Sequence, residues 1–182
     1  MDHGKTIGST TKARFTFTLY LPMDQATGVL VNGGRENGRT WRVNWRSLIN
    51  QDIPVGSKFR CTHSFYEQPF NITVGGPLID TCMVTVMGLP NVQTYTPWNT
   101  VSIGGSVINV ARLQQSAWTD TTFAAGLIAN ESSFICGIPT GASGELSLSF
   151  WDVTSNANPP SPLAMDVDNG LHVLRFELVS DV

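Results

Sequence analysis

Charge is scarce in this sequence. Lys, Arg, Asp and Glu make up 14% of its 182 residues, where about 25% is usual for a globular domain. Lysine occurs only as Lys5, Lys12 and Lys58. Helix surfaces draw heavily on Lys and Glu, so the shortage argues against a helical protein. The net charge of −3 gives no basic field for nucleic acid and no polybasic membrane patch; no nucleic-acid partner is expected. Two readings of so weakly charged a surface stand side by side. Either partners cover much of it, or it is solvated through Ser, Thr and Asn, as in many all-β domains.

Long apolar runs are also lacking. None approaches the roughly 20 residues of a membrane-spanning helix. The start, Met1-Asp2-His3-Gly4-Lys5-Thr6, has no signal-peptide core, so folding in a reducing compartment is expected. Cysteine is limited to Cys61, Cys82 and Cys136. Buried free thiols are one reading; a Cys61–Cys82 disulfide is the other. At 182 residues the chain is long enough for a single domain with a sizeable core.

What the sequence does have is period-two striping. In Thr40–Arg46, Trp41, Val43 and Trp45 fall on one face of a predicted strand and Arg42, Asn44 and Arg46 on the other. After a link with Asn50, Asp52, Pro54 and Gly56, the stretch Lys58–Phe65 alternates again, with Phe59, Cys61, His63 and Phe65 on one side. Burying one such aromatic stabilises by roughly 1.5–3 kcal/mol, so two stripes can anchor a sandwich core. Arg14–Leu21 and Glu145–Phe150 show the same pattern, and Leu171–Val179 is a closing strand. Thr81–Met87 is apolar on both faces, which suits a central strand or one that meets a partner. Asn32-Gly33-Gly34, Asn37-Gly38 and Asn169-Gly170 read as turns. Arg112–Trp118 reads as one or two helical turns. Thr121–Ile128 and Ser133–Ile138 read as two short strands split by Asn130-Glu131-Ser132.

These signals give eight to ten short strands and almost no helix, an antiparallel all-β sandwich or barrel. The uneven loops suit a jelly roll of about eight strands better than an up-and-down barrel. Residues 1–12, small and polar, read as a flexible arm; residues 13–182 form the domain.

Candidates for chemistry are few. Gly4-Lys5-Thr6 looks like the tail of a phosphate-binding loop, but the earlier glycine, the preceding strand and a following helix are missing. Asp166-Val167-Asp168-Asn169-Gly170 starts like a calcium loop, yet its glycine is one place early and the bidentate Glu is absent. His3, His63 and His172 lie far apart in sequence without ligand-spaced neighbours, so no metal site is expected. His63 on an apolar strand face reads as a hydrogen-bonded core histidine. There is no Gly-x-Ser-x-Gly elbow. The sequons at Asn71 and Asn130 matter only in a secretory compartment. Trp41 and Trp45 read as core; Trp98 and Trp118, in loop contexts, are the better candidates for contact with another molecule.

With its strands laid out, the chain resembles the single jelly-roll capsid proteins of large icosahedral DNA viruses, the penton and small minor-capsid components. The likeness is carried by the polar arm, the opening strand Phe15–Leu21, Trp41-Arg42-Val43-Asn44-Trp45 followed by Leu48-Ile49-Asn50, the Lys58–Phe65 strand and the closing Leu171–Val179. It is a likeness of pattern over most of the chain. It implies a structural virion protein with no active site and no cofactor. Such a protein self-assembles as a homo-oligomer around a symmetry axis and touches the major capsid protein and other capsid components. It would be assembled in the host cell cytoplasm. Interface candidates on this reading are Lys5 and Lys12 of the arm, with Trp98 and Trp118. The alternative is a soluble jelly-roll binding module, lectin-like or a trimeric ligand domain.

Overall fold

The computed structural model describes residues 15–49, 53–66, 70–73, 81–94, 105–118, 122–153, 160–163 and 170–180. Lys5, Lys12, Trp98 and the Asp166–Asn169 segment lie outside them. Among the described residues, eleven strands and one α-helical turn occur in the order β1 (Thr16–Pro22), β2 (Gly28–Asn32), β3 (Arg35–Val43), α1 (Trp45–Leu48), β4 (Lys58–Tyr66), β5 (Phe70–Thr73), β6 (Thr81–Met87), β7 (Ser106–Trp118), β8 (Thr122–Cys136), β9 (Gly144–Asp152), β10 (Ser161–Pro162) and β11 (Leu171–Ser180). A short 3₁₀ turn, Met23–Gln25, follows β1.

The strands hydrogen-bond in the order β1-β11-β4-β8-β7-β6-β9-β3-β2, with β5 beside β8 and β10 beside β9. Every pairing is antiparallel. The path folds over into two sheets. β1-β11-β4-β8 makes one, and β7-β6-β9-β3-β2 the other. Rings that meet across the gap define the sandwich: Phe65 of β4 and Phe150 of β9 at 5.1 Å, Trp41 of β3 and His172 of β11 at 5.6 Å, and Trp45 and Phe176 at 6.2 Å. Edge-to-face contacts such as the last two suit the ring quadrupoles.

The two sheets join through long strands. β7 has 13 residues and β8 has 15, against a usual five or six. The first half of β7 pairs with β6, from Val86↔Ser106 to Thr81↔Arg112. Its second half pairs with β8, from Arg112↔Ile128 to Trp118↔Phe123. The second half of β8 then pairs with β4, ending at Phe59↔Cys136. The segment expected to be helical, Arg112–Trp118, is thus a strand. Its helix-favouring Leu, Gln and Ala residues are overridden by the ladder to β8. The two short strands expected around Asn130 are one strand with a bulge. Between His63↔Ser132 and Phe65↔Ala129, β4 has one residue and β8 has two, so Asn130 and Glu131 are accommodated without ending the strand.

Two further expectations change. Asn37-Gly38 is not a turn; it lies inside β3, where Asn37 is the extra residue between Leu30↔Gly38 and Val31↔Glu36. Trp45 does not continue the strand of Trp41. It opens α1, whose first turn is capped by Asn44: the Asn44 side chain accepts from the Ser47 N–H at 3.2 Å. Trp45 is nevertheless fully buried, as is Trp41 but for 4%, so both are core residues. The Asn32-Gly33-Gly34 turn stands, with φ of 57° and 76° at the two glycines, the left-handed pair that a tight hairpin needs.

The core fills from both sheets. Phe59, Cys61 and Phe65 of β4, Leu174 and Phe176 of β11, Leu146, Leu148 and Phe150 of β9 and Val84 of β6 all belong to it. β6 is central, between β7 and β9, which explains its two apolar faces. Its outward Met83 is fully buried with Val107 and Trp151 in a second, smaller cluster. Trp151 satisfies its indole N–H on Thr85 Oγ1 at 3.0 Å.

Candidate functional site

Two histidines that are 109 residues apart in sequence meet at the centre of the sandwich. His63 comes from β4 and His172 from β11, where the strands run side by side with His63↔Leu174 and Phe65↔His172 in register. Both point into the core and neither is exposed. Their Nε2 and Nδ1 atoms are 3.0 Å apart.

The proton positions follow from the chain of partners. The Val110 backbone N–H donates to Asn109 Oδ1 at 2.7 Å. That fixes the amide, so Nδ2 faces His63, where it donates toward the backbone O at 3.3 Å and toward ring Nδ1 at 3.0 Å. His63 Nδ1 is therefore an acceptor and its proton sits on Nε2. That N–H donates to His172 Nδ1. His172 then carries its own proton on Nε2, which is buried and has no hydrogen-bond partner. Around it stand Phe65 at 4.5 Å, Phe150 at 5.3 Å and Trp41 at 5.6 Å, ring centre to ring centre.

Burial pushes the His63 imidazole down to about 3. It also holds His172 well below the ordinary histidine value, and the neighbouring His63 lowers it further. Both rings are neutral near pH 7. Asn109 belongs to β7, in the opposite sheet from β4, so its bonds to His63 tie the sheets together. The expected core role of His63 is met; that His172 and Asn109 complete the cluster was not visible in the sequence spacing. Among the described residues no group of three His, Cys, Asp or Glu could hold a metal ion.

The thiols are a second cluster. Cys61, Cys82 and Cys136 are all buried thiols outside any disulfide, so the Cys61–Cys82 disulfide alternative falls. Cys61 has Cys136 as its neighbour instead, across the β4–β8 ladder. Burial, and then its hydrogen bond with Cys136, push the Cys61 thiol far up, which leaves it without nucleophilic thiolate.

A cleft of about 1120 Å³ opens at the end of the sandwich where β4 begins. α1, the 53–57 link, the 88–91 turn and the 137–142 loop form its walls. Trp45, Phe59, Ile53, Leu89 and Ile138 make it largely apolar, and Arg46 is the one charged residue among its described lining. The indole N–H of Trp45 has no partner, but it is fully buried and lies against Gly144 rather than open to the cleft.

Of the expected interface residues, Lys5, Lys12 and Trp98 lie outside the described residues. Trp118 is not in a loop: it ends the described part of β7, opposite Phe123. Of the four, Trp118 alone lies among the described residues. No protein-family model, curated protein or solved structure matches the chain.

Proposed function

We propose that this protein is a jelly-roll building block of an icosahedral virus capsid, a penton or minor-capsid component that works by self-assembly and by contact with neighbouring capsomers. The observation that carries the reading is the strand order. Leaving aside β2, β5 and β10, eight strands divide into the facing sets β1-β11-β4-β8 and β7-β6-β9-β3. The last strand, β11, inserts between the first and the third of the eight, and β9 inserts between β3 and β6. Such interleaving is how two Greek keys wind into a jelly roll. Apolar side chains left on the outside support contact with neighbours: Tyr20 and Tyr66 on the first sheet are 67% and 57% exposed, and Val29 and Val31 on β2 are 49% and 58% exposed.

Sedimentation of the purified chain across concentrations tests the reading. Reversible oligomers of fixed size are expected. Deleting residues 1–12 should leave the fold intact and weaken those oligomers. A chain that stays monomeric at every concentration and enters no particle would overturn the proposal. The end cleft favours a second reading, a soluble binding module, because its apolar walls and single Arg46 suit a small apolar ligand bearing an acceptor. A glycan and small-molecule screen on the monomer separates the two.

A further inference from the structure

We propose that His63, His172 and Asn109 form an acid-operated latch between the two sheets, closed while both imidazoles are neutral and opened when either takes up a proton. The latch belongs to the fold itself and stands independently of the capsid reading.

The hydrogen bonds of the cluster all point the same way. The chain runs one way, from Val110 N–H through Asn109 and His63 to His172. Every acceptor in it is used by a donor. A proton added to His63 must go on Nδ1, where the Asn109 amide already points an N–H. Two donors then face each other, and of the two bonds that Asn109 makes from β7 to β4 the one to the ring is lost, leaving only the longer one to the His63 carbonyl. A proton added to His172 must go on Nδ1, where it meets the N–H of His63 Nε2 head-on and breaks the β4–β11 side-chain bond. Neither ring has a third option, because the pair is sealed.

Nothing nearby compensates the charge. The rings packed on the pair are Trp41, Phe65 and Phe150. The inward side chains of the surrounding strands are apolar or thiol: Phe17, Leu19 and Leu21 from β1, Cys61 from β4, Cys82, Val84 and Val86 from β6, Phe134 and Cys136 from β8, and Leu174 and Phe176 from β11. Of the charged side chains described on these strands, Arg35, Glu36, Arg42, Lys58, Arg60, Glu131, Glu145 and Arg175 are exposed and Glu177 is half-buried; those that alternate with a packed ring are Arg39, two positions before Trp41 on β3, and Asp152, two positions after Phe150 on β9. Arg39 is a cation and is engaged with Glu36 and the Gly38 carbonyl; Asp152 has an interaction of its own. An unpaired charge at this depth forces the group to stay neutral or the structure to open.

The sign follows from the direction of the shifts. Both groups titrate lower when folded than the ordinary 6.5, so the unfolded chain binds more protons below that value. Stability is full above about pH 6.5 and falls as pH drops. Two histidines that stay neutral in the fold make the folding constant fall by up to about a hundredfold per pH unit; one gives about tenfold.

Urea unfolding of the full chain between pH 7.5 and 5, followed by tryptophan fluorescence, tests this. The wild type should approach the hundredfold slope below pH 6. His172→Phe should approach tenfold, and His63→Gln with His172→Phe should be nearly flat. A double variant as acid-sensitive as the wild type overturns the latch and leaves the carboxylates responsible. Should the variants not fold, imidazole nitrogen resonances of the folded wild type decide. Both buried rings should stay neutral, with the proton on Nε2, from pH 7 to pH 5. A midpoint near 6.5 for His63 or His172 in the folded protein overturns the proposal.

Discussion

Gly38 has no room for a side chain. A Cβ there would run into the Leu148 carbonyl oxygen and lie 2.9 Å from the Ser149 Cα, both backbone atoms of the paired strand β9. Gly38→Ala should therefore cost about 1–3 kcal/mol, the usual range for overpacking a tight site, read as a lower urea midpoint at unchanged slope. The neighbouring Asn37 is fully buried and accepts from Asn32 Nδ2 at 2.7 Å while donating to the Phe150 carbonyl at 3.3 Å. Local propensity makes Asn-Gly a turn pair. What turns it into a bulge is a strand more than a hundred residues away, and no local pattern encodes that. His63 shows the same division: its inward face was legible from Phe59, Cys61 and Phe65, whereas its partners come from β7 and β11. The thiols yield a second expectation at this scale. Cys61 and Cys82 are 0% exposed and Cys136 is 1% exposed, so none should react with an aromatic disulfide reagent in the native protein. All three should react in urea, as absorbance at the released thiolate will record; prompt native labelling would contradict the burial.

Among the elements, α1 depends on its cap. One helical turn is far below the length at which a helix is stable by itself, so it is held by Asn44 at its start and by Trp45, buried beneath it. Asn44 closes the turn twice, its side chain accepting from Ser47 N–H and its carbonyl from Ser47 Oγ at 2.9 Å. Asn44→Ala should cost about 0.5–2 kcal/mol, and Asn44→Asp, which keeps the acceptor, should recover most of it; thermal unfolding of the pair measures both. The alternation through Trp41, Val43 and Trp45 could not reveal this break, because the face of Trp45 stays buried whether the backbone is extended or helical. β1 and β4 were legible for the converse reason: each has one face in the core and one outside, and period two marks such strands. The second half of β7 was not, since its conformation comes from pairing with β8 and not from its own preferences.

In the whole molecule, the sandwich follows from striping, but the order of the strands does not. Which strand lies beside which is decided by the bulges, the crossover of β7 and β8, and the aromatic contacts between the sheets. That order leaves β1 and β2 at the two ends of the hydrogen-bonded path, and unpaired strand edges invite another chain. β2 is the more exposed in apolar terms, with Val29 and Val31 alternating outward along a five-residue strand. A fold under pressure to remain monomeric tends to place a lysine or a proline there; this strand has neither. Val31→Lys changes a side chain already 58% exposed, so stability should stay within about 0.5 kcal/mol of the wild type. If β2 is where neighbouring copies meet, the same change should raise the concentration at which oligomers form, and Val29→Lys added to it should raise it further. Sedimentation of the two variants beside the wild type reads this directly. Oligomers that form as readily with both lysines in place would remove β2 from the assembly surface.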